Sequence, residues 1–591
     1  MKKIYKGILI SAITLSMVAC DSNYLEQPPV DLVSDAAIGE SVEAARAALY
    51  GLCEAMYIGY GDDDSEYAIR YANGEGYLQT YYGDSASPDF ADTWLYGFQK
   101  ETQAWIYMTR DSGDADRYAW MYAYNLINQA NVILSKIDEV PGDPADIQQI
   151  KASALTIRAH AYIRLMQVYG PRFEDRNNGE TLCVVLRTEP GSNQSPLVSY
   201  KEVMDQIYQD LDDAIALYTE SGKARTKGFE PNIDVAKGLY SRIALINHDW
   251  AKAQQMAKEA RQKYPIMSAD EYLAGFAEAN KEWLWYNDYN RTYNGYYSWG
   301  TSFSCNGNYA VANDWTGGGG VISYRLYKEI YDKNNSDVRC KLFWTPDKAN
   351  MYVDFGIKEE DFWNTTCVNE ERMTMWGVDP AITTSITLWN MYTTPEGYSD
   401  GLFPYNTGSS LGAALELTDE DALDPGVQNY ICYSLATSTR VQFGAQIKFW
   451  SIKSDLGDSQ HPFLRASELL LNEAEAAIEN GDEQTARDCL VELNSNRMDA
   501  YTCTLSGDAL KEEVRLYRRI ELWGEGDTWF SFKRWNIPAV REVWKAGDPT
   551  SNNFLPYYEG TYAPDYSKGW RYEIPKAEKD YNTIINNQLN N

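Results

Sequence analysis

The chain has 591 residues, 44% hydrophobic and 23% charged, a globular composition long enough for several domains or one large helical array. Its net charge of −32 excludes a basic groove for nucleic acid, because phosphate contacts need clustered Lys and Arg. The 46 Tyr and 18 Trp are a heavy aromatic load, and such rings join an apolar face to a polar tip that suits wet binding surfaces.

Lys2, Lys3 and Lys6 form a positive N-terminal region, and the apolar run Ile8 to Val18 is too short to span a bilayer. It ends in L-S-M-V-A-C, which resembles the lipobox of bacterial lipoproteins. That resemblance implies a signal peptide at 1–19 and lipid on Cys20; the polar stretch 20–35 then reads as a tether leading into one domain expected over 36–591. Acyl chains stabilise a membrane anchor by about 0.8 kcal/mol per buried CH₂. Eight cysteines remain; none forms C-x-x-C, so structural zinc is not expected, and buried thiols are.

Ala45, Leu49, Leu52 and Met56 mark a first helix. Residues 59–118 then lose the helical period and fill with Gly, Asp and aromatics, including Tyr81, Tyr82, Trp94 and Trp105, which predicts an ordered functional loop region. Apolar stripes predict helices through Trp120–Leu134, Leu155–Tyr169 and Met204–Tyr218. Asp234 to Pro265 reads as a helical hairpin broken at Asn247-His248-Asp249, and its order of small, aromatic and proline residues resembles a tetratricopeptide repeat. A second hairpin of similar length runs from Pro462 to Arg497 and turns at Asn480-Gly481-Asp482.

Between them, about 280–460 shows no sustained helical period and reads as a loop-rich insertion with short helices and a few strands. Helical repeats are thus expected at about 36–58, 119–270 and 461–535. The stretch Leu510 to Trp535 is the focus of the chain. Leu510, Val514 and Tyr517 form one apolar row and Leu516, Ile520 and Trp523 another, so this helix is buried between neighbours. Arg518, Arg519, Glu521 and Glu525 carry charge into that crowded place and must be paired there. Gly524 and Gly526 stop the helix.

R-R-I-E-L-W-G-E-G followed by F-K-R-W, at 518–535, resembles the signature of SusD/RagB-family lipoproteins. Supporting matches are W-M-Y-A-Y-N-L-I-N-Q-A-N (120–131), R-A-H-A-Y-I-R-L-M-Q-V-Y-G-P (158–171) and R-A-S-E-L-L-L-N-E-A-E-A (465–476). Weaker ones are D-V-R (337–339) and Y-E-I-P-K-A-E-K-D-Y-N (572–582). Thr528 and Ser531 stand where the family often has an Arg and an Asp, which puts the local packing there in question. The resemblance implies a mostly α fold of four tetratricopeptide-like helix pairs with a variable loop-rich face. It also implies an outer-membrane, lipid-anchored, cell-surface protein that binds oligosaccharide without cleaving it and delivers it to a SusC-like TonB-dependent transporter.

Sugars offer an apolar C–H face for stacking and a rim of hydroxyls for hydrogen bonds. Trp94, Trp299 and Trp315 lie among polar loop residues and are the expected platforms, with Tyr296, Tyr81, Tyr82, Asp84 and Asn313 as further contacts. The plainer alternative is that each ring anchors its own loop. Asp62-Asp63-Asp64-Ser65-Glu66 offers oxygens for calcium but lacks EF-hand spacing, so no cofactor is expected. His160, His248 and His461 are too few and scattered to suggest catalysis or zinc. An oligopeptide binder of the same fold and a glycan-cleaving enzyme stand as alternatives, although no nucleophile elbow, H-E-x-x-H or P-loop is present.

Overall fold

In the computed structural model the described residues are 38–57, 59–60, 72–92, 105, 108, 110–112, 114–274, 276, 278–287, 320–343, 386–390, 430–434, 439–441, 448–449, 460–542, 552, 554, 558–564 and 570–590. The lipobox and tether, the acidic run 62–66 and the candidates Trp94, Tyr296, Trp299, Asn313 and Trp315 lie outside them. Helices dominate. The longer ones are α1 (Val42–Glu54), α2 (Asp114–Lys136), α3 (Pro144–Tyr169), α4 (Tyr200–Ser221), α5 (Ile233–Ile246) and α6 (Trp250–Arg261). They continue with α7 (Tyr324–Lys333), α8 (Ala466–Glu479), α9 (Glu483–Asn494), α10 (Gly507–Glu521), α11 (Thr528–Trp535) and α12 (Thr583–Asn590).

Local chemistry sets these boundaries. Ser41 caps α1, and Asp143 caps α3 with Pro144 in its first turn. Ser199 and Glu202 close a capping box on α4, which ends at Gly222 in the left-handed region, φ 62°. All three striped segments are helical. α3 is buried on every side from Ala152 to Tyr169, so its polar residues must find partners inside. Arg158 makes a paired bond to Asp210 (2.8 and 2.6 Å) and another to Asn131 (2.8 Å). Arg164 and His160 share the buried Glu75, the latter at 3.1 Å. Burial pushes the Glu75 carboxyl up, but Arg164 and His160 outweigh it and hold it well below the usual range.

Both predicted hairpins are present as α5–α6 and α8–α9, and α6 lies against α8. The helices bury two principal cores. One lies among α1 to α5 and takes in Trp529, Phe530 and Phe532 of α11; the other gathers Phe90, α7, Phe449 and the apolar faces of α8 to α10. The insertion contributes α7, a 3₁₀ turn at Val338–Leu342 and an antiparallel three-stranded sheet of Ile386–Asn390, Tyr430–Ser434 and Thr439–Val441. Cys53, Cys183 and Cys489 are buried thiols, as expected from the sequence. Among the described residues no helix is long and apolar enough to cross a membrane.

Candidate functional site

Residues 510–535 join the two cores. Leu510, Val514, Leu516, Tyr517, Ile520 and Trp523 are packed into one, Trp529, Phe530 and Phe532 into the other. The crossing is made by Gly524 and Gly526, at φ 78° and 77°, a region costly for side chains with a Cβ. A Cβ on Gly524 would sit 2.5 Å from the Phe449 ring, and one on Gly526 would sit 2.5 Å from the Gln79 Cα. The chain therefore turns where only glycine fits.

Charges in this stretch are paired with opposite charges except Lys533, whose ammonium donates to the Gln167 and Gly170 carbonyls. Glu521 accepts from Arg465 (2.8 Å), from Arg497 (2.9 and 3.0 Å) and from Arg339 (3.3 Å). Arg339 also holds Asp337 at 2.6 Å, Arg465 holds Glu282 at 2.8 Å, and Lys448 and Arg465 both hold Glu525. Four cations and four anions thus form one ion hub drawn from both ends of the insertion and from the scaffold. Burial raises the Glu521 carboxyl, but the three guanidinium groups overcome it and hold it well below the ordinary range. Burial pushes Lys448 down, opposed by Glu525. Removing one member would strand its partner in the interior, a change that typically costs about 3–5 kcal/mol.

Beside the hub lies a short strand pair that borders the two aromatic-rich stretches in sequence. Strand Phe90–Asp92 pairs antiparallel with strand Gly320–Ile322, with Phe90 opposite Ile322 and Asp92 opposite Gly320. The strand ends Asp92 and Gly320 are therefore neighbours across the ladder. The pair is fixed to the end of α10. Arg519 makes a two-pronged bond to the Asp89 carboxylate (2.7 and 2.5 Å), and Trp523 Nε1 donates to the Asp89 carbonyl at 2.9 Å. Phe90 stacks on the Trp523 indole, ring centres 5.6 Å apart.

Tyr81, Tyr82 and Asp84 sit inside the scaffold rather than on a binding face. Tyr82 is 2% exposed, packs on Tyr572 and accepts a hydrogen bond from the Ala119 amide. Tyr81 packs on Tyr77. Asp84 accepts from the Gly526 amide at 2.7 Å, and burial pushes its carboxyl up. The physical reason is the close approach of two backbones: a Cβ on Gly83 would lie 2.3 Å from the Gly526 carbonyl oxygen. A region that composition alone makes a loop is here a short helix, Gly74–Tyr77, and a wide turn, Leu78–Asp84, seated on the glycine crossing. Among the described residues no group of His, Cys, Asp or Glu could hold a metal ion.

Residues 281–590, more than half the chain, match the SusD family, and residues 63–245 match the family described as "Starch-binding associating with outer membrane". The chain belongs to the SusD family. No curated protein matches it. Among solved structures it resembles a SusD-like carbohydrate binding protein from Bacteroides vulgatus, at 21% identity and TM-score 0.65, over 92% of this chain and 97% of that one. A SusD superfamily protein from Bacteroides thetaiotaomicron matches at 17% identity and TM-score 0.61, covering 92% and 99%. A laminarin binding SusD-like protein matches at 16% and TM-score 0.50, covering 84% and 91%. At these identities the likeness establishes the fold.

The SusD-like motifs prove to be joints of the scaffold. Arg465 and the D-V-R pair Asp337 and Arg339 are hub members. Glu468 holds Arg242 and Glu475 holds Arg534. At the departure from the family pattern, Arg518 pairs with Asp527, and the Ser531 hydroxyl bridges them at 3.1 and 2.6 Å. Thr528 carries a buried hydroxyl with no hydrogen-bond partner among the described residues. Sequence reasoning missed Asp89, Glu282 and Lys448, which lie outside any motif and show no local signal of their partners.

Proposed function

We propose that this SusD-family protein is a lipid-anchored receptor at the cell surface that captures oligosaccharide and passes it to a TonB-dependent outer-membrane transporter, with no bond-breaking step. The observation that carries this reading is the strand pair that borders both aromatic-rich stretches. Trp94 follows Asp92 by two residues and Trp315 precedes Gly320 by five, and those strand ends are ladder partners. Rings so close in sequence to two paired strand ends would offer a sugar chain more than one apolar platform. The similar structures described as carbohydrate binding and laminarin binding favour the same ligand class. The lipobox before Cys20 and the outer-membrane association in the family description favour the location.

The test is affinity electrophoresis of the full chain in mild detergent, through gels holding plant, host and microbial polysaccharides. Trp94→Ala, Trp299→Ala and Trp315→Ala run beside it. At least one substitution is expected to weaken binding about tenfold, the loss of roughly 1.4 kcal/mol of ring contact. Retention unchanged in all three would remove these rings from the site. Retention by no glycan would overturn the ligand class. Release of soluble sugar from polysaccharide by the pure protein would overturn the non-catalytic reading.

A further inference from the structure

We propose that Asp89, held by Arg519 and Trp523, is a positioning residue for ligand binding: it sets the strand pair that borders the two aromatic-rich stretches without touching ligand. This rests on the glycan-capture reading and deepens it. Asp89 has every hydrogen-bonding group engaged. Its amide donates to Ser87 Oγ at 3.2 Å, and its carbonyl accepts from Trp523 Nε1 and from the Ser323 amide, both at 2.9 Å. Its carboxylate takes both prongs of Arg519.

Those bonds meet at one point of the fold. Ser323 directly follows the strand Gly320–Ile322 and caps α7, its hydroxyl accepting from the Leu326 amide at 3.3 Å. Asp89 directly precedes the partner strand. One residue thus ties the outgoing strand, the returning strand, α7 and the end of α10. A three-residue ladder is too short to be stable by itself, so its register depends on what it is fixed to. The Asp89 side chain is 1% exposed and that of Arg519 20%. A carboxylate so enclosed is unavailable to ligand, yet its partner is a planar fork that fixes direction as well as distance.

The measurement pairs affinity with local opening. Asp89→Asn and Arg519→Lys keep shape or charge but lose the two-pronged ion pair. In the full chain, amide hydrogen exchange at Ala91, Val321 and Ser323 is expected to quicken in both, while α3 and α8 keep wild-type protection. Affinity for the glycan that retains the wild type should fall on the order of tenfold, as when about one molecule in ten keeps the competent strand pair. A purely structural role would instead lower protection throughout. Faster exchange at the strand pair with unchanged affinity would overturn the positioning role and leave glycan capture standing. A wild-type chain that no glycan retains would overturn both.

Discussion

The hairpins α5–α6 and α8–α9 are nearly the same object built twice. Each has helices of 14 and 12 residues joined by three. The turns are Asn247-His248-Asp249 and Asn480-Gly481-Asp482. In both, the Asn sits at φ −87° and the Asp side chain caps the second helix. The three turn amides bond back to equivalent carbonyls, Ile243, Leu245 and Ala244 in one and Ala476, Ile478 and Ala477 in the other. The middle residue is left-handed in both, His248 at φ 55° and Gly481 at φ 82°. Glycine takes that conformation freely, whereas a side chain pays about 1–2 kcal/mol. His248 offsets the cost by stacking between Phe173 and Trp250, ring centres 3.8 and 4.4 Å away. Backbone bonds and the two flanking polar residues therefore dictate the turn; the middle residue can serve packing instead.

The largest expected effect concerns what binds the two hairpins to each other. Arg242 of α5 makes a two-pronged, buried bond to Glu468 of α8, both distances 2.8 Å. Glu468→Ala should lower unfolding free energy by about 3–5 kcal/mol in a denaturant titration, because Arg242 is left buried and unpaired. A loss below 1 kcal/mol would show that the joint does not depend on this pair and is held by apolar packing and the other cross-hairpin pairs, such as Arg261 with Glu473. Next comes Gly481→Ala. Nothing lies within 4 Å of the added Cβ, so the cost is backbone strain, about 1 kcal/mol by the same titration. A neutral result would mean that the second turn relaxes away from the first.

The smallest effect separates the turns by pH. Burial, together with the Arg534 charge, pushes His248 down to about 4 from its ordinary 6.5. Between those values the unfolded chain binds more protons than the folded one, so the His248 contribution to stability falls as pH drops from 6.5 to 4. His248→Gln should flatten the Tm-against-pH curve in that window. A curve with the slope of the wild type would assign the pH dependence to other groups. The glycine turn carries no such titration.

What could be read from sequence divides along physical lines. Helices declare themselves by local period: the stripe Trp120–Leu134 falls inside α2, and the two rows of 510–523 fall inside α10 but for Trp523, which follows its C-terminal cap. Turns did so through Asn-x-Asp, and the need for charge pairing at Arg518, Arg519, Glu521 and Glu525 followed from where those charges fell. Composition failed at Tyr81, Tyr82 and Asp84, because nothing within a few residues announces that Gly83 will meet Gly526. It also could not show that Phe90–Asp92 pairs with Gly320–Ile322. Three residues carry no measurable alternation, and their partner lies more than two hundred positions away.

The ion hub has a consequence for the order in which the molecule assembles. Its anions and cations come from Glu282, Asp337, Arg339, Lys448, Arg465, Arg497, Glu521 and Glu525. No member can be buried at low cost until its partner has arrived, and Glu521 and Glu525 arrive late in the chain. α2, α3 and α4 pack with near neighbours in sequence and need none of these residues. Closing the second core therefore awaits contacts of long sequence separation, which carry a large loop-closure cost. A chain shortened before residue 521 would keep the first helices but lose Glu521 and Glu525, leaving Asp337 and Glu282 to face the four hub cations, so the hub commits the second core only to a nearly complete chain.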